Sequence, residues 1–467
     1  MTIFVTFAQS TTQIFSVRHV GLRNALNEIR LHFRFVKLIK YVLPILLTVT
    51  ASTASADALS DHEAIGYRKR DAGDPVALLA KDLANGKRLL AWDEKSGYLK
   101  SLLATLGIPR SSQTLVFSRT SFQRERISPE APRALYFNDD VYIGTVQGGD
   151  FLEIASVDPV NGTMFYSLDQ KRPVEDRAPA PHRLTDDCLQ CHESGMTDDI
   201  PGLLLRSVFT APTGNPVLSE GTFRTNMQSP LQERWGGWYV TGTHGSVRHM
   251  GNAILPEGKP NEALDRESGA NLASLAKLVD VEPYLESTSD IVALMVLAHQ
   301  TQVHNLITRA SYHTRLALHD NRVFNEALQE PLAQTRQSTQ RRLDSAVEPL
   351  VRAMLMSGEA VLTAPIRGTS AFATEFQKRG PRDRRGRHLR KLDLRRRLFA
   401  VPLSYLIYNA AFDALPAEAR DLFWRRMCEV LSGSDHSPAF AHLSGTDRLV
   451  ISEILRDTKP AAPVCRP

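Results

Sequence analysis

The sequence predicts an α+β fold, and three observations carry that expectation. Residues 133–260 hold short aromatic and β-branched runs separated by turn residues. Residues 57–132 show apolar side chains at helical spacing, and helical periodicity returns from 261 to 467. The expected order is therefore a helical N-terminal segment, an antiparallel β-rich unit and a larger α-helical C-terminal region, after a distinct stretch at 1–56. At 467 residues the chain is long enough for two or three packed units.

Each element follows from its period. From Pro75 to Leu106, Leu78, Leu79, Leu83, Leu89, Leu90, Leu99, Leu102, Leu103 and Leu106 recur at helical spacing, broken near Gly86 and Gly97, which predicts two helices. Thr114 to Phe117 reads as a short strand. The period then shortens to that of a β-meander. Ala134–Phe137, Val141–Val146, Phe151–Val157 and Met164–Leu168 are divided by Asn138-Asp139-Asp140, Gly148-Gly149-Asp150 and Pro159–Gly162. Arg172 to Asp187 reads as a loop rich in Pro and charge. Pro201 to Pro256, rich in Gly, Pro, Thr and Trp, reads as ordered loop with short strands. Helices are expected at Leu272–Leu278, at Ile291–Ile307 behind an Asp290 N-cap, and at Ser345–Met356, Pro402–Asn409 and Ala417–Leu431.

Charge narrows the partners. The formal net charge is +5, and residues 1–56 account for it, with Arg18, Arg23, Arg30, Arg34, Lys37 and Lys40 against Glu28 alone. The remainder is neutral, so the bulk charge does not argue for nucleic acid. Arg34, Lys37 and Lys40 precede an apolar run from Tyr41 to Val49, and Ala54-Ser55-Ala56 offers a small-residue cleavage site. That is the pattern of an export signal cleaved after Ala56, implying a periplasmic address, with an N-terminal membrane anchor as the alternative. The late start of this pattern fits a start codon assigned too far upstream. Lys378 to Arg397 holds eleven basic residues against Asp383 and Asp393. It reads either as a solvated loop paired with acids elsewhere or as a docking patch for an acidic redox partner or anionic lipid headgroups.

Four cysteines are too few for a disulfide-built scaffold, but two of them form Cys188-Leu189-Gln190-Cys191-His192. In this C-x-x-C-H pattern two thiols on one turn can add to neighbouring vinyl groups of a porphyrin, and the following imidazole can ligate the iron. Scattering 4 Cys and 14 His at random over 467 positions yields about 0.001 such matches. Competing readings are a zinc site, a thioredoxin-like redox pair and a surface disulfide. The zinc site lacks a second ligand pair, because Cys428 and Cys465 stand isolated in the sequence. The redox pair lacks the preceding strand. The expectation is one covalent haem c, anchored by Cys188 and Cys191, with His192 as proximal ligand.

The opposite face of the iron decides the chemistry, since a filled sixth position favours electron transfer and an open one permits binding or catalysis. Met250 is the preferred distal candidate, followed by His244 or His249, and Met227 also lies at loop distance. Trp235 and Trp238 offer rings to pack on a macrocycle. His299 and His304 are separated by five residues on a helix, so only one of them can face an iron. His182 could reach a haem propionate. A haem-dependent peroxidase or other oxidoreductase, or a haem-based sensor, with an open distal site is the alternative, with Arg234, His244 or Arg248 near the iron.

Cys188 to His192 resembles the attachment site of all c-type cytochromes. More broadly, Arg133 to Tyr142, Trp235 to Gly245 and Ser404 to Tyr408 resemble a bacterial family of large, functionally uncharacterised cytochrome c domain proteins. The likeness spans most of the chain after residue 56. It implies haem binding, electron transfer with redox partner proteins in the periplasm or at the membrane, and assembly by the cytochrome c maturation machinery. It implies no substrate, and a nucleic-acid partner is not expected.

Overall fold

The computed structural model describes residues 58–172, 179–463 and 465. The export-signal reading of residues 1–56 lies outside the described residues. The elements, in chain order, begin with helices α1 (Pro75–Ala84) and α2 (Leu99–Thr105). Strands β1 (Thr114–Val116), β2 (Arg133–Phe137), β3 (Val141–Thr145), β4 (Phe151–Asp158), β5 (Gly162–Asp169) and β6 (His182–Leu184) follow. Then come the one-turn helix α3 (Leu189–His192), β7 (Arg206–Val208), β8 (Thr222–Arg224) and β9 (Trp238–Tyr239). The C-terminal helices are α4 (Ile291–Ala327), α5 (Gln337–Met354), α6 (Phe372–Lys378), α7 (Ala410–Asp413), α8 (Ala417–Ser432) and α9 (Gly445–Thr458). The α+β architecture with a larger helical C-terminal region is the one the sequence predicts.

Seven strands form one antiparallel sheet in the order β6-β5-β4-β3-β2-β1-β9, and β7 pairs with β8 separately. The four meander strands are those expected, joined by the turns expected. β6 is an addition, because His182–Leu184 pairs with Phe165–Ser167 inside a stretch that reads as loop. Register sorts the side chains onto two unlike faces. Ala134, Tyr136, Ile143, Leu152, Ile154, Met164 and Leu168 point to a closed core with Val76, Leu79, Leu99, Leu102 and Leu103 of α1 and α2. The other face carries Arg133, Leu135, Glu153, Ala155 and Ser167, all only half-buried, together with Phe165 and Leu184. The same face also carries Phe137, Tyr142 and Val157, buried in the helical core, so it is covered over part of its area and half-open over the rest.

The Asp290 cap is present and does more than end a helix. Its Oδ1 accepts from the backbone N–H of Val292 at 2.7 Å and Ala293 at 3.2 Å. Its Oδ2 accepts from Thr369 and Ser370 N–H at 2.7 and 2.8 Å, which ties the start of α4 to the C-terminal region. α4 runs 37 residues, about 55 Å at 1.5 Å per residue, well past the Ile307 at which the apolar pattern fades. From Ile291 to Asn305 every residue is buried, so this segment is the axis around which the other elements pack. The described residues cluster as one compact unit.

Two expected helices differ. Leu272–Leu278 forms turns. Asn271 sits in the left-handed region with φ 54°, its side chain donates to the Gly245 carbonyl, and Ser274 Oγ accepts from Ala276 N–H. Such local side-chain bonds compete with helix. In Pro402–Asn409 only Tyr405–Tyr408 is helical, as one 3₁₀ turn. The helix expected from Ser345 begins eight residues earlier, at Gln337.

Candidate haem attachment site

The pentapeptide folds as one helical turn directly after β6. His192 N–H donates to the Cys188 carbonyl at 2.9 Å, and Leu189 anchors the turn in the core with α1 and α2. Cys188 and Cys191 are both free thiols, the first half-buried and the second exposed. Burial, with the carboxylates of Glu153 and Asp187, pushes the Cys188 thiol up to about 11. A redox C-x-x-C does the reverse, lowering a thiol toward neutrality to expose a reactive thiolate. Cys188 does not carry that signature.

The His192 ring packs on Phe165 of β5, with centroids 4.7 Å apart. Its Nδ1–H donates to the Gly202 carbonyl at 2.8 Å. Gly202 N–H returns a bond to the His192 carbonyl at 2.8 Å, so the two residues are locked reciprocally. With the Nδ1 proton committed, Nε2 is left as the lone-pair nitrogen, the arrangement that prepares an imidazole to bind a metal. Burial also lowers the pKa of His192, favouring the neutral, ligating form. Residues 201–203 are set in turn by Asn305 of α4. Its Oδ1 accepts from Leu203 N–H and its Nδ2 donates to the Leu203 carbonyl, both at 2.7 Å. A Cβ on Gly202 would meet Asn305 Oδ1 at 2.8 Å, so the close approach needs glycine.

Around this turn, Arg133 and Glu153 form an ion pair of 2.6 Å on the half-open sheet face, above Gly144. His182 is exposed, and the β5–β6 register places it on the same face as Ser167. Behind the turn, Glu193 accepts from both Ser60 N–H at 2.9 Å and Ser60 Oγ at 2.7 Å, closing the N-terminal turn onto the motif. Neither Asn305 nor Glu193 could be singled out from sequence. Both are ordinary polar residues whose partners lie more than a hundred positions away.

The distal candidates are placed otherwise. Met250 is buried in its own cluster with Phe209, Ala253, Leu255 and Leu264, apart from the core that holds Leu189 and Cys188. Its sulfur lies 3.7 Å from Ser207 Oγ, and Gly236 leaves room for its methyl. Met227 is buried in the helical core and its N–H donates to Gln302. His244 is fully engaged, Nδ1 to the Val247 carbonyl at 2.6 Å and Nε2 accepting from Asn271 N–H at 3.0 Å. His249 packs against His244 and Trp235, and burial pulls its pKa down to about 3. His299 bonds Ser404 Oγ and His304 bonds the Asp139 carbonyl, so both are partnered core histidines. Arg234 donates to the Ser229 and Met227 carbonyls, and Arg248 pairs with Glu267. Most polar groups of the Trp235–Asn252 stretch are bonded within the fold, while Trp235 Nε1, Arg248 Nε and His249 Nε2 are buried without a hydrogen-bond partner among the described residues.

Two further readings are revised. Cys428 and Cys465 are not isolated; they form a disulfide between α8 and the C-terminal segment, which removes them as zinc ligands. Seven of the eleven bases in the basic stretch have acidic partners within the fold. Arg379 and Arg390 pair with Asp139, Arg385 and Arg387 with Glu453, Arg384 with Asp457, Arg396 with Asp393 and Arg397 with Asp447. Lys378, Arg382, Lys391 and Arg395 of the same stretch form no ion pair among the described residues, and the paired Arg384, Arg385 and Arg396 stay exposed. Compared with known proteins, the chain matches no protein-family model, no curated protein and no solved structure.

Proposed function

We propose that the chain is an exported, monohaem c-type cytochrome that acts in periplasmic electron transfer. One observation carries the reading: a C-x-x-C-H turn with two free thiols, whose histidine gives its Nδ1 proton to a backbone carbonyl and keeps Nε2 for a metal. These residues fit the group. Cys188 and Cys191 would hold it by thioether bonds and His192 would ligate its iron, the half-open sheet face supplying one wall. Bound there, haem c supplies reversible one-electron chemistry at iron.

The protein's own residues would orient and tune. Gly202, held by Asn305, fixes the His192 tautomer and ring. The Cys428–Cys465 disulfide supports an oxidising address, since such bonds persist outside the cytoplasm. The residues that a peroxidase-like alternative would need, Arg234, His244 and Arg248, are each committed to structural bonds. Met250 and the histidines lie in other packing environments, so no distal ligand is included in the proposal.

Expression in a host with cytochrome c maturation tests it. Wild-type protein should keep its haem through denaturing electrophoresis and acid–acetone extraction, and show the spectrum of a doubly thioether-linked haem. C188A/C191A should lose covalent colour. H192A should keep the attachment yet change the ferrous spectrum, since the proximal imidazole is lost. A colourless wild-type protein of unmodified mass from such a host refutes the proposal. Cyanide and azide titration of the ferric protein then separates a filled sixth position, expected for a carrier, from an open one.

A further inference from the structure

We propose that His62, His319 and Asp320 form a binding site for one first-row divalent cation of the zinc class, independent of the haem reading. Each residue offers one donor atom, and the three atoms lie within 4.8 Å of one another in a half-buried setting. Tetrahedral zinc with bonds near 2.0–2.1 Å holds its ligands about 3.4 Å apart, so modest side-chain rotation closes the set. Two imidazoles and a carboxylate are a borderline donor set, favouring Zn²⁺ or its neighbours over the oxygen-seeking Ca²⁺ and Mg²⁺.

The local structure holds these residues together. His62 Nδ1 accepts from Ala64 N–H at 3.1 Å and so carries the ring's lone pair; a metal would either displace that amide at Nδ1 or bind Nε2 once the ring proton has moved to Nδ1. The His62 and His319 rings meet edge to face with centroids 5.2 Å apart. Glu63 brings a second carboxylate to the site, its Oε1 lying 3.0 Å from His319 Nε2. It can complete the coordination or orient that imidazole. Arg342 engages Asp320 Oδ2 at 2.8 Å, and the other oxygen has no hydrogen-bond partner among the described residues. The turn bearing His62 is itself pinned to α4, because Arg315 donates to the carbonyls of Ala64 at 2.7 Å and Ile65 at 2.9 Å. A metal here would join the N-terminal turn to the long helix, two residues from the Ser60 that holds Glu193. A structural clamp is the role this placement gives it.

Zinc titration of the full-length mature protein, stripped with EDTA and followed by calorimetry, tests the site. Zinc and iron are then counted separately by mass spectrometry. One zinc per chain is expected, with micromolar or tighter affinity and a higher thermal midpoint. H62A and D320N should each weaken binding at least tenfold, while H182A, which removes an exposed histidine elsewhere, should not. D320N guards against a folding defect in H62A, and unchanged far-UV dichroism checks both. Absence of stoichiometric binding, or equal binding by the H62A/D320N double variant, overturns the proposal. Loss of haem in the cytochrome experiment leaves this one untouched, because zinc binding is read without iron.

Discussion

The Gly202 carbonyl accepts from His192 Nδ1–H, and the histidine tautomer follows from that bond. In N305A, Leu203 would lose partners for both its buried N–H and its carbonyl, costing about 2–4 kcal/mol. Urea unfolding reads that loss. If haem is bound, a looser Gly202 carbonyl also weakens the bond to His192 Nδ1 and shifts the reduction potential upward, which a redox titration detects. Acid stability is set by other histidines. Burial depresses His249 and His299 to about 3, against about 6.5 in the unfolded chain. Above pH 6.5 neither state is protonated there and the stabilisation is complete. As pH falls from 6.5 toward 3, the unfolded chain takes up protons that the folded one refuses. Each histidine then removes up to about 1.4 kcal/mol per pH unit. The urea midpoint should therefore fall between pH 7 and pH 5, and H299N should flatten the fall; an equal slope in the variant argues against it. At this scale the pentapeptide was legible because its residue types and spacing are local. The lock on His192 was not, since it depends on a carbonyl ten residues on and an amide on a distant helix.

One stripe of α4 organises the half of the molecule that carries the motif. Asn305, Thr308, Tyr312, Arg315 and His319 follow a three–four spacing that stays on one side of a helix. In turn they bond Leu203, pack on Gly162, bond the Asn161 carbonyl, bond Ala64 and Ile65, and face Glu63. Gly162, with φ 76°, admits Thr308 where any side chain would collide. At the head of the same helix, D290A removes a cap and leaves Thr369 and Ser370 N–H without their acceptor. A loss of about 2–4 kcal/mol is expected in chemical unfolding, with D290N retaining part of the stability. The meander and the Asp290 cap were readable because strand alternation and capping are short-range. The last twenty residues of α4 were not, because their stripe is polar and hydrophobic periodicity does not register it.

Across the whole molecule, distant segments are fastened pairwise. Ser111 bonds Glu375, Asn409 bonds Asp140, and Arg390 of the basic stretch pairs with Asp139 at the β2–β3 turn. The Cys428–Cys465 disulfide fastens the C-terminal end. Opening its loop of 37 residues in C428S/C465S should cost about 2–4 kcal/mol, seen as a lower thermal midpoint that reductant no longer changes. Cys428 and Cys465 could not be paired from sequence, as nothing local links a helix to a tail. The Asn305 bond to Leu203 has a practical corollary. The strands and the pentapeptide between residues 133 and 260 form no excisable cassette, because the amide that orders Leu203 arrives only with a helix beginning at Ile291. A recombinant piece ending at 260 should therefore aggregate or stay unfolded, and grafting the five-residue turn onto another scaffold would transfer the thiols while leaving behind the groups that aim the imidazole.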